Sequence, residues 1–557
     1  MGLFVEGRNA LHPYIQVMWP GVINNAESAE VSYPYRIGLD KAIDVIFMLS
    51  TDVISTTTIL LNDLDMSFSC KICGLFILSS LITTVWTGGI GYFWHVSDLH
   101  LDVNFTIQDP NVLLNVPHSE NNRDYYLGEY DYETCWEKGG SGKYGDYNCD
   151  SSLELVKSAM NFIKAHSDTL GNDVKFILWT GDDTSHAENE HFDEDLVVHV
   201  MGILTEQLKG TGIQVYPVLG NHDFHPKNQA PNNPAGLIYQ ESADLWKQWL
   251  VGEPIAEYKA NGGFYQVGPD AQQHLPFKLI ALNTNIYKLK NHFTEGIQDP
   301  LGQFEWLESL LKKAESDQTK VILFAHIPPG KFERFYQYME EEDQYGFHWF
   351  TPTFNQKYLE LLDKYSHVIS AQFYGHHHTD ALKMISANNG TPTSFGLLAP
   401  AVTPWISTLA PETGGNNPGL RLFKYDMDTG EILDYDQFWL NLAKANADNV
   451  PEWKMEYSFL EYYGLQGTID LNLMLELTKK IRDDVQTFER YYSANSVQFD
   501  TDCDQTCRRY HLCAIFEQDY SQFEDCVSNS SRNLSSNTST YIFLFFLYTL
   551  PNCRQWT

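Results

Sequence analysis

Short apolar runs rich in β-branched and aromatic residues alternate along the chain with longer stretches whose apolar residues recur every three or four positions. The short runs predict β-strands at residues 174–180, 215–219, 277–282, 321–325 and 368–374. The longer stretches predict helices at residues 153–166, 196–209, 303–314 and 355–365. Strands that alternate with helices are typical of an α/β sandwich, which we predict from residue 91 onward.

The N-terminal part of the chain lacks this alternation. Residues 66–89 place Lys71 before an apolar stretch and small residues after it, which is the layout of a signal peptide. An uncleaved membrane anchor is the alternative, although the apolar stretch is shorter than the roughly 20 residues of a comfortable span. Residues 1–65 carry no assignable pattern, so Met66 is the predicted working start of the chain.

The C-terminal part changes character after residue 435. A helical stretch is predicted at residues 471–491, and a group of cysteines follows it. A polar spacer and a short apolar run then suggest a GPI-attachment signal, but the polar end at 551–557 argues against one and leaves the tail open. The predicted organisation is an unassigned extension at 1–65, a signal peptide at 66–89, an α/β domain at 90–435, a helical subdomain at 436–527 and the tail at 528–557.

Composition narrows the partners of such a fold. A chain of 557 residues with 43% hydrophobic residues can bury a large core. The formal net charge of −35 argues against a groove for duplex nucleic acid, since phosphate backbones are bound by neutralising cations. Small phosphate substrates remain compatible with this charge because bound metal ions supply local positive charge.

Cysteines and glycosylation sequons point to the secretory pathway. Six cysteines fall in the predicted folded body, and their even number suits disulfides; they are Cys135, Cys149, Cys503, Cys507, Cys513 and Cys526. Structural zinc is the weaker alternative because no two CxxC pairs have zinc-finger spacing. Asn-X-Ser/Thr sequons at Asn104, Asn389 and Asn529 are glycosylation sites if the chain is secreted.

Residues of the types that bind metal ions follow five apolar, strand-like runs. They are Asp98 and His100, then Asp182, then Asn221 and His222, then His326, and finally His376 and His378. Any one of them alone is better explained as a turn or core residue. Five junctions together predict a metal site, because α/β folds collect such loops at one edge of a sheet. Two divalent ions with one bridging carboxylate use about eight ligands, and Asp, Asn and His suit zinc, iron or manganese.

The order of these motifs, DxH, GDx, GNHD, a single His before a Pro-containing loop, and GHxH, resembles the calcineurin-like metallophosphoesterases over residues 91–430. Within that superfamily, HIPPG at 326–330, QFYGHHHTD at 372–380, PAVTPW at 400–405 and NPGLRLFKYD at 417–426 resemble the acid sphingomyelinase-like phosphodiesterases. The resemblance implies a four-layer α/β/β/α sandwich with a small disulfide-containing helical C-terminal subdomain. It also implies a metal-dependent phosphoric diester hydrolase.

The resemblance further implies roles for individual residues. One ion, with zinc favoured, would be held by Asp98, His100, Asp182 and His378, and the other by Asp182, Asn221, His326 and His376. His222 would be the general acid, and His186 would lie near the phosphate; the alternative for His186 is a surface histidine in an acidic run. The implied disulfides join Cys135 to Cys149, Cys503 to Cys507 and Cys513 to Cys526.

These expectations define a function and its alternative. We expect a secreted phosphodiesterase, extracellular, GPI-anchored or lysosomal, that uses metal-activated water on small phosphodiesters, nucleotides or phospholipid head groups. The stretch before Gly91 has only Cys70 and Cys73, so the six-cysteine saposin-type domain of acid sphingomyelinase is not expected. This favours soluble substrates over membrane sphingomyelin. The alternative is a cell-surface binding or regulatory protein on a catalytically minor phosphodiesterase fold.

Overall fold

The computed structural model describes residues 89–105, 135–136, 142–270, 275–334, 348–387, 389–406, 415–499 and 502–528. The expected extension, nearly all of the signal peptide, the tail after residue 528 and the sequon at Asn529 therefore lie outside the described residues. Asn104 and Asn389 are both exposed, and their glycosylation stays a prediction. None of the helices in the described part of the chain is long and apolar enough to span a membrane.

Strands and helices alternate as the sequence predicts. The strands within the described residues are β1 Ile90–Val96, β2 Val174–Trp179, β3 Gln214–Pro217, β4 Tyr265–Val267, β5 Lys278–Ala281, β6 Val321–Phe324, β7 Ile369–Tyr374, β8 Ala381–Ser386, β9 Pro392–Leu398, β10 Gly419–Asp426, β11 Ile432–Leu440 and β12 Trp453–Ser458. The α-helices are α1 Leu153–Leu170, α2 Glu194–Lys209, α3 Leu237–Trp246, α4 Glu253–Asn261, α5 Gln303–Asp317, α6 Pro352–Lys364, α7 Leu442–Asp448, α8 Phe459–Tyr463, α9 Leu471–Asp483, α10 Val485–Asn495, α11 Gln505–Phe516 and α12 Tyr520–Ser528.

The strands form two six-stranded sheets, in the orders β12-β11-β10-β1-β2-β3 and β4-β5-β6-β7-β9-β8. In the first sheet, β1, β2 and β3 run parallel, whereas β10 returns antiparallel beside β1. In the second sheet, β5, β6 and β7 run parallel. Parallel neighbours connected through helices have their carboxyl ends at one edge of each sheet, which is where α/β folds place their sites.

Alternating side chains build four layers. Phe93 of β1 contacts Phe373 of β7 at 5.5 Å between ring centres, so the two sheets face each other. The next residue, Trp94, points to the opposite side and meets Phe162 of α1. On the second sheet, the hydroxyl of Tyr374 lies 2.9 Å from that of Tyr358 in α6. The order helix, sheet, sheet, helix confirms the predicted α/β/β/α sandwich.

Aspartate side chains set the helix boundaries in the C-terminal region. Asp470 and Asp504 accept backbone N–H groups in the first turns of α9 and α11. Asp484 has an extended backbone and accepts the N–H of Thr487, so it ends α9 and starts α10. The helical stretch predicted at 471–491 is therefore two helices, because the capping aspartate interrupts it.

The C-terminal helices pack on the second sheet: α11 contacts β8, and α9 contacts β9. Leu477 and Ile515 belong to the same hydrophobic core as the sheets, and β11 crosses the boundary that we place between residues 435 and 436. Three disulfides link Cys135 to Cys149, Cys503 to Cys507 and Cys513 to Cys526, which are the pairs that the resemblance implies. The last two of these disulfides lie within the C-terminal helical region.

Candidate active site

Five loops bring the predicted ligand residues to one edge of the sandwich. Asp98 and His100 follow β1, Asp182 follows β2, Asn221 and His222 follow β3, His326 follows β6, and His376 and His378 follow β7. Backbone hydrogen bonds join the first two loops. The N–H of Asp98 donates to the carbonyl of Gly181, and that of His100 donates to the carbonyl of Asp182, both at 3.0 Å. Apolar strands thus end in polar loops at a common edge.

Asp98, His100, Asp182 and His378 form the first ligand group, and all four are buried. The Nε2 atoms of His100 and His378 lie 3.1 Å apart. Nε2 of His100 is 3.4 Å from Oδ2 of Asp182, and Nε2 of His378 is 3.5 Å from Oδ1 of Asp98. These spacings let one ion contact all four side chains.

Asp182 also belongs to the second ligand group, together with His326 and His376. Nε2 of His326 lies 3.1 Å from Oδ2 of Asp182 and 3.2 Å from Nδ1 of His376. Oδ1 of Asn221 is 3.2 Å from the same His326 nitrogen. Oδ2 of Asp182 therefore faces both groups, which is the arrangement of a bridging carboxylate.

Hydrogen bonds behind the ligands fix which atom faces the site. Nδ1 of His100 donates to the carbonyl of Thr184, and Nδ1 of His326 donates to that of Thr180, both at 2.7 Å. Each histidine therefore presents Nε2 toward the other ligands. In metal sites, a hydrogen bond from the other ring nitrogen commonly fixes a ligand histidine in this way. The amide of Asn221 donates from Nδ2 to Asn228, which leaves its oxygen facing His326.

The backbone of the site is strained. Five ligand candidates adopt the left-handed conformation that non-glycine residues avoid, with φ of 52° at Asp98, 39° at His100, 60° at Asp182, 72° at His376 and 62° at His378. Each such residue costs about 1–2 kcal/mol and persists only where surrounding contacts enforce it. The backbone conformation that directs these side chains into the site therefore lowers the stability of the folded protein.

Glycines next to the ligands allow this close approach. A Cβ at Gly181 would lie 2.2 Å from the backbone nitrogen of Gly220, and one at Gly220 would lie 2.2 Å from Oδ1 of Asp182. A Cβ at Gly375 would lie 1.9 Å from the hydroxyl of Ser97. The glycines of the GDx, GNHD and GHxH motifs are therefore required because a side chain at these positions would clash with neighbouring atoms.

Gly220→Ala should lower the free energy of unfolding by about 1–3 kcal/mol, because the new methyl group overlaps Asp182. Urea denaturation would measure it. Gly202→Ala is the matched control, since its Cβ would lie in α2 with no atom closer than 3.8 Å, and alanine is the better helix former. Equal stability of the two variants would contradict this steric account of Gly220.

Burial and the carboxylate of Asp182 act in opposite directions on the pKa values of the ligand histidines. Burial lowers the pKa of His376 and His378 well below the ordinary histidine value. Burial also acts to lower the pKa of His100, but its contacts with Asp182 outweigh burial and raise that pKa to about 9. The pKa of His326 is raised in the same way. Protons and metal ions therefore compete for the nitrogens that face Asp182.

The two predicted catalytic histidines flank the first ligand group. The ring of His222 is centred 4.9 Å from that of His100 and 4.4 Å from that of His186. Its backbone N–H donates to Oδ1 of Asp182, while its Nδ1 is buried without a hydrogen-bond partner among the described residues. The ring of His186 is centred 4.2 Å from that of His100 and its side chain is 14% exposed, so it lines the site and is not a surface residue.

Sequence reasoning missed the residues that hold His186. Asp150 accepts from Nδ1 of His186 at 2.9 Å and from the hydroxyl of Thr403 at 3.0 Å. Trp405 stacks on the imidazole with 3.7 Å between ring centres. Trp405 lies in the PAVTPW motif, which was a usable signal, whereas Asp150 follows Cys149 with no motif of its own.

Asp223, Lys288 and Trp349 were also missed. Asp223 accepts the N–H groups of Asp182, Asp183 and Gly220 at 3.1, 2.7 and 2.6 Å. Lys288 places Nζ 3.4 Å from Nε2 of His376, and burial lowers the pKa of this lysine to about 7. Trp349 packs its ring edge-to-face on His376, with 4.2 Å between centres. Only Asp223 belongs to a sequence motif, GNHD.

Comparisons with known proteins agree with this geometry. The family described as calcineurin-like phosphoesterase matches residues 91–380, and the acid sphingomyelin phosphodiesterase C-terminal region matches residues 391–533. Acid sphingomyelinase-like phosphodiesterase 3b of Mus musculus is 36% identical over 476 residues, which cover 83% of this chain and 94% of that protein.

Two further relatives carry different substrate names. Cyclic GMP-AMP phosphodiesterase SMPDL3A of Homo sapiens is 34% identical over 448 residues, or 79% of this chain and 90% of that protein. Sphingomyelin phosphodiesterase of Homo sapiens is 27% identical over 393 residues, or 67% of this chain and 56% of that protein. Because relatives at 36% and 34% identity align with more than three quarters of its length, the chain belongs to the acid sphingomyelinase-like phosphodiesterases, a family of metallophosphoesterases.

Proposed function

We propose that this chain is a secreted or cell-surface phosphodiesterase that hydrolyses phosphodiester or phosphoanhydride bonds of nucleotides or phosphocholine-type compounds. Two divalent metal ions, with zinc favoured, would be held by the two ligand groups that share Asp182. The observation that carries the proposal is this sharing, since its carboxylate lies 3.4 Å from Nε2 of His100 and 3.1 Å from Nε2 of His326.

The donor set fits metal ions. Nε2 of His326 and Oδ1 of Asn221 face each other at 3.2 Å. When His326 is neutral, both atoms are acceptors, because Nδ1 of His326 donates to Thr180 and the amide nitrogen of Asn221 donates to Asn228. Two buried acceptors at this distance are stabilised by a metal ion that contacts both, which would replace the proton that His326 otherwise carries. Imidazole, carboxylate and amide oxygen together suit zinc and neighbouring transition metals.

When bound, two such ions activate water for in-line attack on phosphorus and neutralise charge on the phosphate oxygens. The chain's own residues would orient the substrate and supply the proton. Asp150 holds Nδ1 of His186, and Trp405 holds the ring face, so the other nitrogen of His186 is aimed by two contacts. The ring of His222 lies beside that of His100 and outside both ligand groups. Burial lowers the pKa of His222, so a bound phosphate anion would have to raise this pKa before the ring gives a proton to the leaving oxygen.

The names of relatives suggest the substrates, and the disulfides and sequons suggest the location. The names of the relatives include a cyclic GMP-AMP phosphodiesterase and a sphingomyelin phosphodiesterase, so both nucleotides and phosphocholine compounds are candidates. Three disulfides and the exposed sequons Asn104 and Asn389 support passage through the secretory pathway. A GPI anchor would keep the protein at the cell surface.

The test is to express the chain in a secretory host, count its metal ions and assay bis-p-nitrophenyl phosphate, ATP, CDP-choline and sphingomyelin. We expect near two ions per chain, turnover that a chelator abolishes, and recovery when zinc is added back. The preferred substrate chooses between nucleotide and lipid roles. A folded protein that binds no ions and turns over none of these compounds would contradict the proposal and favour a binding or regulatory function.

A further inference from the structure

His377 lies between the ligand residues His376 and His378, but its ring points away from them into the protein. Its side chain is fully buried, and Nδ1 lies 2.9 Å from Oε2 of Glu333. Glu333 also accepts the hydroxyl of Thr379 at 2.6 Å and the amide of Asn495 at 3.0 Å. The carboxylate is thus surrounded by donors, so Nδ1 of His377 carries the proton in this contact.

The other nitrogen of His377 is consequently an acceptor. Nε2 receives the indole N–H of Trp349 at 2.9 Å. That bond holds the Trp349 ring edge-to-face against His376, with 4.2 Å between ring centres and an angle of 71°. A chain of directed contacts therefore runs from Glu333 through His377 and Trp349 to a ligand of the second group.

A residue of the C-terminal helical region holds Glu333, the residue at which this series of contacts begins. Asn495, the last residue of α10, donates to Glu333 and to the carbonyl of Asp380, both at 3.0 Å. Its side-chain oxygen accepts from Arg334 at 3.1 Å, and its own carbonyl accepts the N–H of Asp380 at 3.2 Å. One residue thereby ties the loop at 333–334 to the loop that carries His376 and His378.

We propose that Glu333, His377 and Trp349 are positioning residues that hold the His376 imidazole for the second metal ion and set the affinity for that ion. This inference rests on the proposed two-metal function. Contacts of this outer kind change metal affinity by about 10–100-fold when they are removed. The edge-to-face contact with Trp349 restricts the orientation of the His376 ring, whose Nδ1 faces Nε2 of His326 at 3.2 Å.

Two substitutions change the hydrogen bonds of His377 in different ways. Trp349→Phe keeps an aromatic ring beside His376 but removes the N–H that donates to His377. Glu333→Gln keeps the shape but supplies an amide N–H, which favours the opposite tautomer of His377 and turns its Nε2 into a donor facing the donor of Trp349. Trp306→Phe is the matched control, since Trp306 lies in α5 and packs on Phe264.

The experiment titrates zinc into each metal-depleted protein and counts the ions retained after dialysis against a weak chelator. We expect Trp349→Phe and Glu333→Gln to bind the second ion about 10–100-fold more weakly, to retain one ion instead of two, and to regain turnover in excess zinc with KM little changed. Rescue by zinc separates positioning from a folding defect, because a misfolded variant is not restored by added metal.

Trp306→Phe should behave as wild type. Wild-type affinity for both ions in Trp349→Phe would overturn the inference, and that variant decides alone if Glu333→Gln does not fold. Wild-type protein that binds no ions would instead overturn the proposed function. The wild-type titration and the difference between variant and wild type thus report on the two proposals separately.

Discussion

Asp182→Asn should release both metal ions and lower turnover by roughly a thousandfold or more, because binuclear metal catalysis supplies several kcal/mol and each 1.4 kcal/mol is about tenfold in rate. The reason is geometric: Oδ2 of Asp182 lies 3.1 Å from Nε2 of His326 and 3.4 Å from Nε2 of His100. An amide of the same size cannot supply the negative charge that two cations share. Loss of a ligand to one ion alone, as in Asn221→Ala, should be milder.

Metal analysis and thermal unfolding would measure this together. Zinc at about 100 times its dissociation constant should stabilise the wild-type protein by about 2.7 kcal/mol for each bound ion, whereas Asp182→Asn should show almost no stabilisation. Asp195→Asn is the control, since Asp195 is exposed on α2. An Asp182→Asn protein that keeps both ions and its zinc stabilisation would show that the two ligand groups do not depend on a common carboxylate.

Much of this site could be predicted from sequence because its ligands are local to strand ends. The run at 321–325 became β6, and His326 follows it directly. Asp182 is preceded by β2 and by Gly181, whose missing Cβ lets the backbone of Gly220 approach. In each case a hydrophobic run, a small residue and a ligand are adjacent in the chain, and the small residue is Ala325 before His326 and Gly181 before Asp182. Local pattern and site geometry then coincide.

The residues that support the ligands could not be predicted in this way. Asp150 reaches His186 across 36 positions, and Glu333 reaches His377 across 44. Neither residue follows a strand or repeats a motif, and each acts only because the sheets bring distant loops together. The break between α9 and α10 at Asp484 was missed for a different reason. An aspartate within a helical pattern caps a new helix only where its backbone is extended, and the pattern of apolar residues does not show that conformation.

His222→Ala should lower kcat by about a hundredfold or more while both metal ions remain, because general acid catalysis contributes about 10²–10⁴-fold. Its imidazole is not in either ligand group, and its backbone N–H, which holds Oδ1 of Asp182 at 2.8 Å, survives the substitution. The loop should therefore keep its place while the proton donor disappears. Steady-state kinetics and metal analysis on the purified variant would measure both quantities.

The leaving group distinguishes His222 from His186 as the proton donor. A nitrophenolate leaves as a stable anion and needs little protonation, whereas an alkoxide needs a proton as the bond breaks. Removal of the true acid should therefore cost more on an alkyl phosphodiester than on bis-p-nitrophenyl phosphate. His199→Ala, on the exposed face of α2, is the control. If His186→Ala alone shows this dependence, the acid is the histidine that Asp150 holds, and His222 has another role.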